Sequence, residues 1–219
     1  MPAIAEELLL LLLDNASAQP ALDPSRRRRA LAGAVLLDLA YGWRLRPTAP
    51  DEPVPEGRLI ALAGPDDGDP TSSWAWRRLA RKPLTAKAAV AKLERDVETR
   101  LLTQLEHDGL LQRTPLYTKR FRRDHAWLLT DRNRAARVRS QVLRALVTEV
   151  RPAPETAGVI TVLHAVAGLD ELLSFDSDSR RWVSHRAAEI TRGSWVAADS
   201  DLTEVNLAVM GAKVRAALR

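Results

Sequence analysis

The residues of this chain best suited to chemistry are its cations. Of 33 basic residues 28 are arginine, against 28 acids, for a formal charge of +5 and an isoelectric point near 10.0. Arginine presents a planar fork of donors that grips a phosphate at two points, whereas lysine acts as a point charge. Two clusters stand out. Arg113, Lys119, Arg120, Arg122 and Arg123 interleave with Leu116, Tyr117 and Phe121, with no acid before Asp124. Cations mixed with apolar rings suit the headgroup layer of an anionic membrane and equally a nucleic-acid backbone. They also describe a solvated strand pair whose charges guard an edge. Arg26 to Arg29 form the second cluster. A helix start is an unfavourable place for cations, because the dipole is positive there. The placement predicts a nearby anion, with plain surface solubility as the other reading.

Catalytic signals are sparse. There is no glycine-rich phosphate loop and no nucleophile elbow. His107, His125, His164 and His185 are scattered, with no pair four residues apart on one helix. His164 lies in an apolar stretch and reads as a core histidine. Glu6-Glu7 and Asp170-Glu171 read as helix-terminal acids rather than an acid–base pair. With no cysteine, disulfides and thiolate metal sites are excluded and a reducing compartment fits. The expectation is a protein without enzymatic activity, cofactor or metal.

The elements that must carry these cations are mostly helices. The apolar fraction of 46% is ordinary for one buried core, and residues 1–219 read as a single domain. Six consecutive leucines, Leu8 to Leu13, are bracketed by Glu6-Glu7 and Asp14-Asn15. Roughly 20 apolar residues are needed to span a bilayer, so the run predicts a buried helix over residues 3–13. Asp23 and Pro24 predict the cap and first turn of a helix reaching Ala40, with Leu31, Val35, Leu36 and Leu39 on one face. Two short antiparallel strands are expected within residues 43–63. A helix over residues 73–82 and a longer one from Thr85 to about His107 follow, the latter striped by Val90, Leu93, Val97, Leu101 and Leu105. Gly109 stops it before a basic hairpin with arms near 110–118 and 125–129. Helices are then expected over 132–150, 157–173, 180–192 and 201–218. The fold class is mainly α: one globular helical domain with short β-hairpins, one of them basic and exposed.

The order of these pieces resembles the Golgi phosphoprotein 3 family, as a bacterial-type member. The resemblance rests on Ile4-Ala5-Glu6-Glu7-Leu8-Leu9-Leu10-Leu11, on Ala30-Leu31-Ala32-Gly33-Ala34-Val35-Leu36-Leu37-Asp38-Leu39-Ala40 followed by Trp43-Arg44-Leu45, and on Asp108-Gly109-Leu110-Leu111 before a hairpin. It implies a helical core with a membrane-facing hairpin. It also implies binding to phosphatidylinositol 4-phosphate and to the tails of Golgi glycosyltransferases. The family's lipid site uses one tryptophan and basic residues from two helices. Counted without gaps, those positions fall on Asp23, Ala32, Arg95 and Glu98, of which only Arg95 is basic. Arg29 and Lys92 lie one turn before Ala32 and Arg95 and are positioned to rebuild a basic pocket.

The resulting expectation is a cytoplasmic protein, peripheral on the cytosolic membrane face. It recognises anionic, phosphoinositide-like lipid headgroups through Arg95, Arg29 and Lys92. Arg113, Lys119, Arg120, Phe121, Arg122 and Arg123 of the hairpin contact the membrane. It serves as an adaptor for the cytosolic tails of membrane proteins. The alternative is a winged-helix nucleic-acid binder, with residues 112–129 as the wing and 86–107 as the recognition helix. Glu94, Asp96, Glu98 and Glu106 on that helix oppose phosphate.

Overall fold

The leucine run forms the helix its burial requires. α1 (Ile4–Leu13) has every leucine from Leu8 to Leu13 within 2% of complete burial. The structure, a computed structural model, describes residues 4–17, 19–64, 68–116, 124–173 and 175–219. A helix sunk this deep cannot send its first amides to water, and each must find an acceptor. Asp38 supplies it from the neighbouring helix α2 (Pro24–Tyr41). Its carboxylate accepts from the Ile4 amide at 2.6 Å and the Ala5 amide at 3.0 Å. Burial pushes the Asp38 carboxyl well above the usual carboxylate range, against the lowering effect of those two bonds.

Around this pair the chain builds ten helices among the described residues and two small antiparallel sheets. β1 (Leu45–Pro47) pairs with β2 (Arg58–Ala61), and β2 with β3 (Leu84–Thr85). α3 (Pro70–Leu79) starts at an Asp69 cap that accepts from the Thr71 and Ser72 amides. The single long helix expected to His107 is instead two, α4 (Ala86–Leu93) and α5 (Val97–His107). Val90, Leu93, Val97, Leu101 and Leu105 are all buried, so the apolar stripe continues across a break at Glu94–Asp96. Periodicity reported the face and not the break, because both helices turn the same stripe inward.

β4 (Leu111–Leu116) and β5 (Asp124–Leu129) form the hairpin, in the register Leu111 opposite Leu129 and Arg113 opposite Trp127. Among the described residues it pairs with no other strand, and the recognition helix expected over 86–107 is divided into α4 and α5, of which α5 leads directly into the hairpin. α6 (Arg132–Val147), α7 (Pro154–Ala165), α8 (Leu169–Leu173), α9 (Ser177–Thr191) and α10 (Leu202–Leu218) complete the chain. The helix expected over 157–173 is broken between α7 and α8, where Ala167 takes a left-handed backbone with φ of 54°.

Two close approaches set the packing. A Cβ on Gly158 of α7 would stand 2.7 Å from Ile4, so α7 presses directly on the first residue of α1. A Cβ on Gly33 would meet Val214 and Leu218 at 3.0 Å, which lets α2 and α10 run closely antiparallel. No helix is long and apolar enough among the described residues to cross a membrane.

Two measurements check this core. Asp38→Ala leaves two buried amides without an acceptor and is expected to cost about 2 kcal/mol in urea unfolding, with Asp38→Asn losing roughly half as much. The second concerns Glu7, a carboxyl buried in α1. Burial first, then Glu155, pushes its carboxyl from 4.5 to about 7, while Arg134 opposes the shift. The folded state thus holds this proton more tightly than the unfolded chain does. Its contribution is complete below pH 4.5 and is lost as pH rises through 7. Glu7→Gln is expected to be more stable than the parent at pH 8 by about 1–2 kcal/mol, with a shallower decline between pH 5 and 8. An equal decline in both proteins contradicts this.

Candidate anion-binding surface

Asp23 caps α2 as its sequence position predicts, accepting from the amides of Ser25 and Arg26 at 3.1 Å each. The bond from the Arg26 amide, then that from Ser25 and the Arg26 charge, hold its carboxyl below the usual range. The four arginines behind it fan out to different neighbours. Arg26 reaches the C-terminal end of α7, donating to the Val166 carbonyl at 2.9 Å and the Ala167 carbonyl at 2.8 Å, and pairs with Glu171 at 3.0 Å. Arg27 donates to Glu98 at 2.7 Å and to the Leu22 carbonyl at 2.8 Å. Arg28 is exposed and returns to the Pro24 carbonyl at 3.0 Å. Arg29 is half-buried and donates to the Leu218 carbonyl at the end of α10 at 3.3 Å.

A nearby anion was expected from four consecutive arginines at a helix start. The partners in the fold are largely internal. Arg26 and Arg29 satisfy carbonyls left open at the C-terminal ends of α7 and α10, where the dipole favours a cation. Arg27 and Glu98 are only 13% and 17% exposed, so they neutralise each other away from bulk water. Nothing local in the sequence announces that pair, since its members stand 71 residues apart.

Arg95 is exposed in the turn between α4 and α5, three residues before Glu98. Lys92 is half-buried in the last turn of α4. Ala32 is fully buried in the core. In the hairpin, Arg113 is exposed on β4, with its guanidinium 5.8 Å from the centre of the Trp127 ring and 3.2 Å from His125 Nδ1. Lys119, Arg120, Phe121, Arg122 and Arg123 lie outside the described residues.

Loop residues 19–22 join these pieces. Gln19 donates to the His125 carbonyl of the hairpin at 2.7 Å. The Leu22 carbonyl accepts from Arg27, whose partner Glu98 begins α5 beside Arg95. The hairpin base, the start of α2 and the α4–α5 turn thus form one connected region.

A further group of cations adjoins it. A cleft of about 460 Å³ is lined by His164, Ala167, Leu169, Asp170, Arg180, Arg181, Val183 and Ser184. His164, expected in the core, is half-buried at this cleft. Burial, then the charges of Arg219 and Arg215, push its imidazole below the usual value. Arg180 pairs with Asp170 at 3.3 Å. The adjacent pair Arg180-Arg181 and the basic end of α10 were visible in the sequence. Only folding brings them around the carbonyls that Arg26 and Arg29 hold. Among the described residues, no three histidines or acids gather as a metal would require.

Fold and site together define a mainly helical protein with two small antiparallel sheets and an arginine-rich end built around the start of its second helix. The sequence matches the family profile of Golgi phosphoprotein 3 (GPP34) over residues 4–204, and the chain belongs to that family. No curated protein matches it closely enough to count as a relative.

The Arg27–Glu98 pair supplies a test of the site's framework. Glu98→Gln strands a mostly buried guanidinium and is expected to lower stability by about 1–3 kcal/mol. The double change Arg27→Met with Glu98→Leu recovers most of that loss in urea unfolding. Additive losses in the double variant contradict the pairing.

Proposed function

We propose that this protein is a peripheral membrane-associated binding protein. It recognises anionic, phosphoinositide-like lipid headgroups and holds the cytosolic tails of membrane proteins as an adaptor. The reading is supported most by one observation: the Arg27–Glu98 bond and the Gln19 bond to the His125 carbonyl tie the start of α2 to the α4–α5 turn and to the hairpin, three segments that each carry cations. Arg28 and Arg95 are exposed there, and Arg29 and Lys92 are half-buried. Arg215 and Arg219 act on His164, which shares its cleft with Arg180 and Arg181. The two acids that fall on the family's lipid-site positions are already occupied. Asp23 faces backbone amides and Glu98 faces Arg27. Their charge therefore opposes an incoming phosphate less than their identity alone implies.

Each basic group near an anionic surface contributes about 1 kcal/mol, and the contribution fades within a Debye length. Four to six such groups give reversible docking rather than permanent attachment. The hairpin adds Arg113 to the same region.

Co-sedimentation with vesicles tests the proposal. Binding is expected to phosphatidylcholine vesicles carrying anionic lipid, weakly or not at all to phosphatidylcholine alone, and to fall steeply between low and high salt. Arg28→Glu and Arg95→Glu alter exposed residues and should each weaken binding by about fivefold or more. Equal binding to neutral vesicles overturns the reading. So does tighter, salt-steep binding to duplex DNA of arbitrary sequence, which favours the nucleic-acid alternative.

A further inference from the structure

α10 is apolar on two sides. Its inner face, with Asn206, Leu207, Met210, Gly211, Val214 and Leu218, is buried against the core. Its outer face carries Leu202, Val205, Val209, Ala212 and Ala216, and all five are exposed. Leu202 is 72% exposed, Val205 40% and Val209 44%. Isolated apolar residues on a surface need no explanation. These five are not isolated, because they recur at intervals of three, four, three and four residues, the spacing of a helix–helix seam. A helix whose only task was to pack on the core would carry polar residues at these positions.

We propose that the outer face of α10 pairs antiparallel with the same face of a second copy of this chain. The seam is complementary to itself in shape. Its N-terminal half carries the larger Leu202 and Val205, and its C-terminal half the small Ala212 and Ala216. An antiparallel crossing near Val209 sets each large half against a small half and closes a two-fold interface. The seam is also complementary in charge. Asp201 flanks Leu202 on the side where Arg215 flanks Ala216. Antiparallel pairing brings Asp201 of each copy to Arg215 of the other, while parallel pairing sets like charges level with each other. The stripe runs about 21 Å along the helix. Contact through the helix alone stays below the roughly 800 Å² per partner of a standard interface. The pairing is therefore weak, with a dissociation constant in the range of about 10–100 µM.

Sedimentation velocity on the full chain from about 5 to 500 µM is expected to show mass rising from monomer to dimer across that range. Val209→Glu sets two carboxylates at the crossing and should weaken the dimer by about tenfold or more. The site is exposed, so circular dichroism and the melting temperature should match the parent. The chain has no cysteine, which allows a test of direction. Mixed Leu202→Cys and Ala216→Cys proteins should cross-link to each other on mild oxidation, and Val209→Cys to itself. A monomer at every concentration overturns the proposal, and so does an undiminished Val209→Glu dimer. Preferential self-linking of Leu202→Cys also contradicts it, since that result requires parallel chains. If the chain stays monomeric and Val209→Glu instead loses vesicle binding, the face is a membrane contact and the pairing is rejected.

Discussion

A deeply buried helix must have both ends satisfied, and in this molecule a second helix meets the start of α1 while the loop that follows meets its end, Asn15 and Ala21 donating to the Leu12 carbonyl. α1 lies among the other elements with its leucines enclosed. Its first amides end on the Asp38 carboxylate of α2. Without that acceptor the free energy gained by burying six leucines is set against orphaned amides that water cannot reach. Burial drives the Asp38 carboxyl well above the usual carboxylate range, which is the cost of keeping it in this position.

The other end of α2 works with the opposite sign. Arg26 donates to carbonyls that end α7, and Arg29 to the carbonyl that ends α10. One helix thus offers an anion to a helix start and cations to two helix ends, each placed where the macrodipole favours it. This arrangement ties α1, α7 and α10 to a common frame. The glycine contacts at Gly33 and Gly158 let those helices approach closely enough for such bonds to form. With Arg26, Arg27 and Arg29 bonded inside the fold, Arg28, Arg95 and Arg113 remain exposed and Lys92 half-buried.

Much of the fold was legible from local chemistry. The Asp23 cap, the Pro24 start, the buried leucine helix and the hairpin after Gly109 follow from propensity and spacing, and the structure has them. Breaks inside apolar stretches were not legible. The α4–α5 break and the α7–α8 break both preserve the inward stripe, so periodicity runs through them unchanged. The site was legible in residue type and not in partnership. Four consecutive arginines announce phosphate affinity, but whether Arg26, Arg27 and Arg29 meet a ligand, a carboxylate or a helix end depends on contacts 71 to 189 residues away. The doubly apolar character of α10 is present in the sequence. Its outer stripe becomes recognisable only once the inner one is known to be used.

The functional account depends on the converging cations being the part of the surface that meets an anionic membrane. Hydrogen–deuterium exchange with and without anionic vesicles tests this most directly, because it reports location as well as binding. Slower exchange is predicted in residues 19–29, in the α4–α5 turn and in the hairpin base, with β1 and β2 unchanged. Unchanged exchange in those segments under conditions where the protein is vesicle-bound, or protection concentrated on the β1–β2 side, contradicts the account.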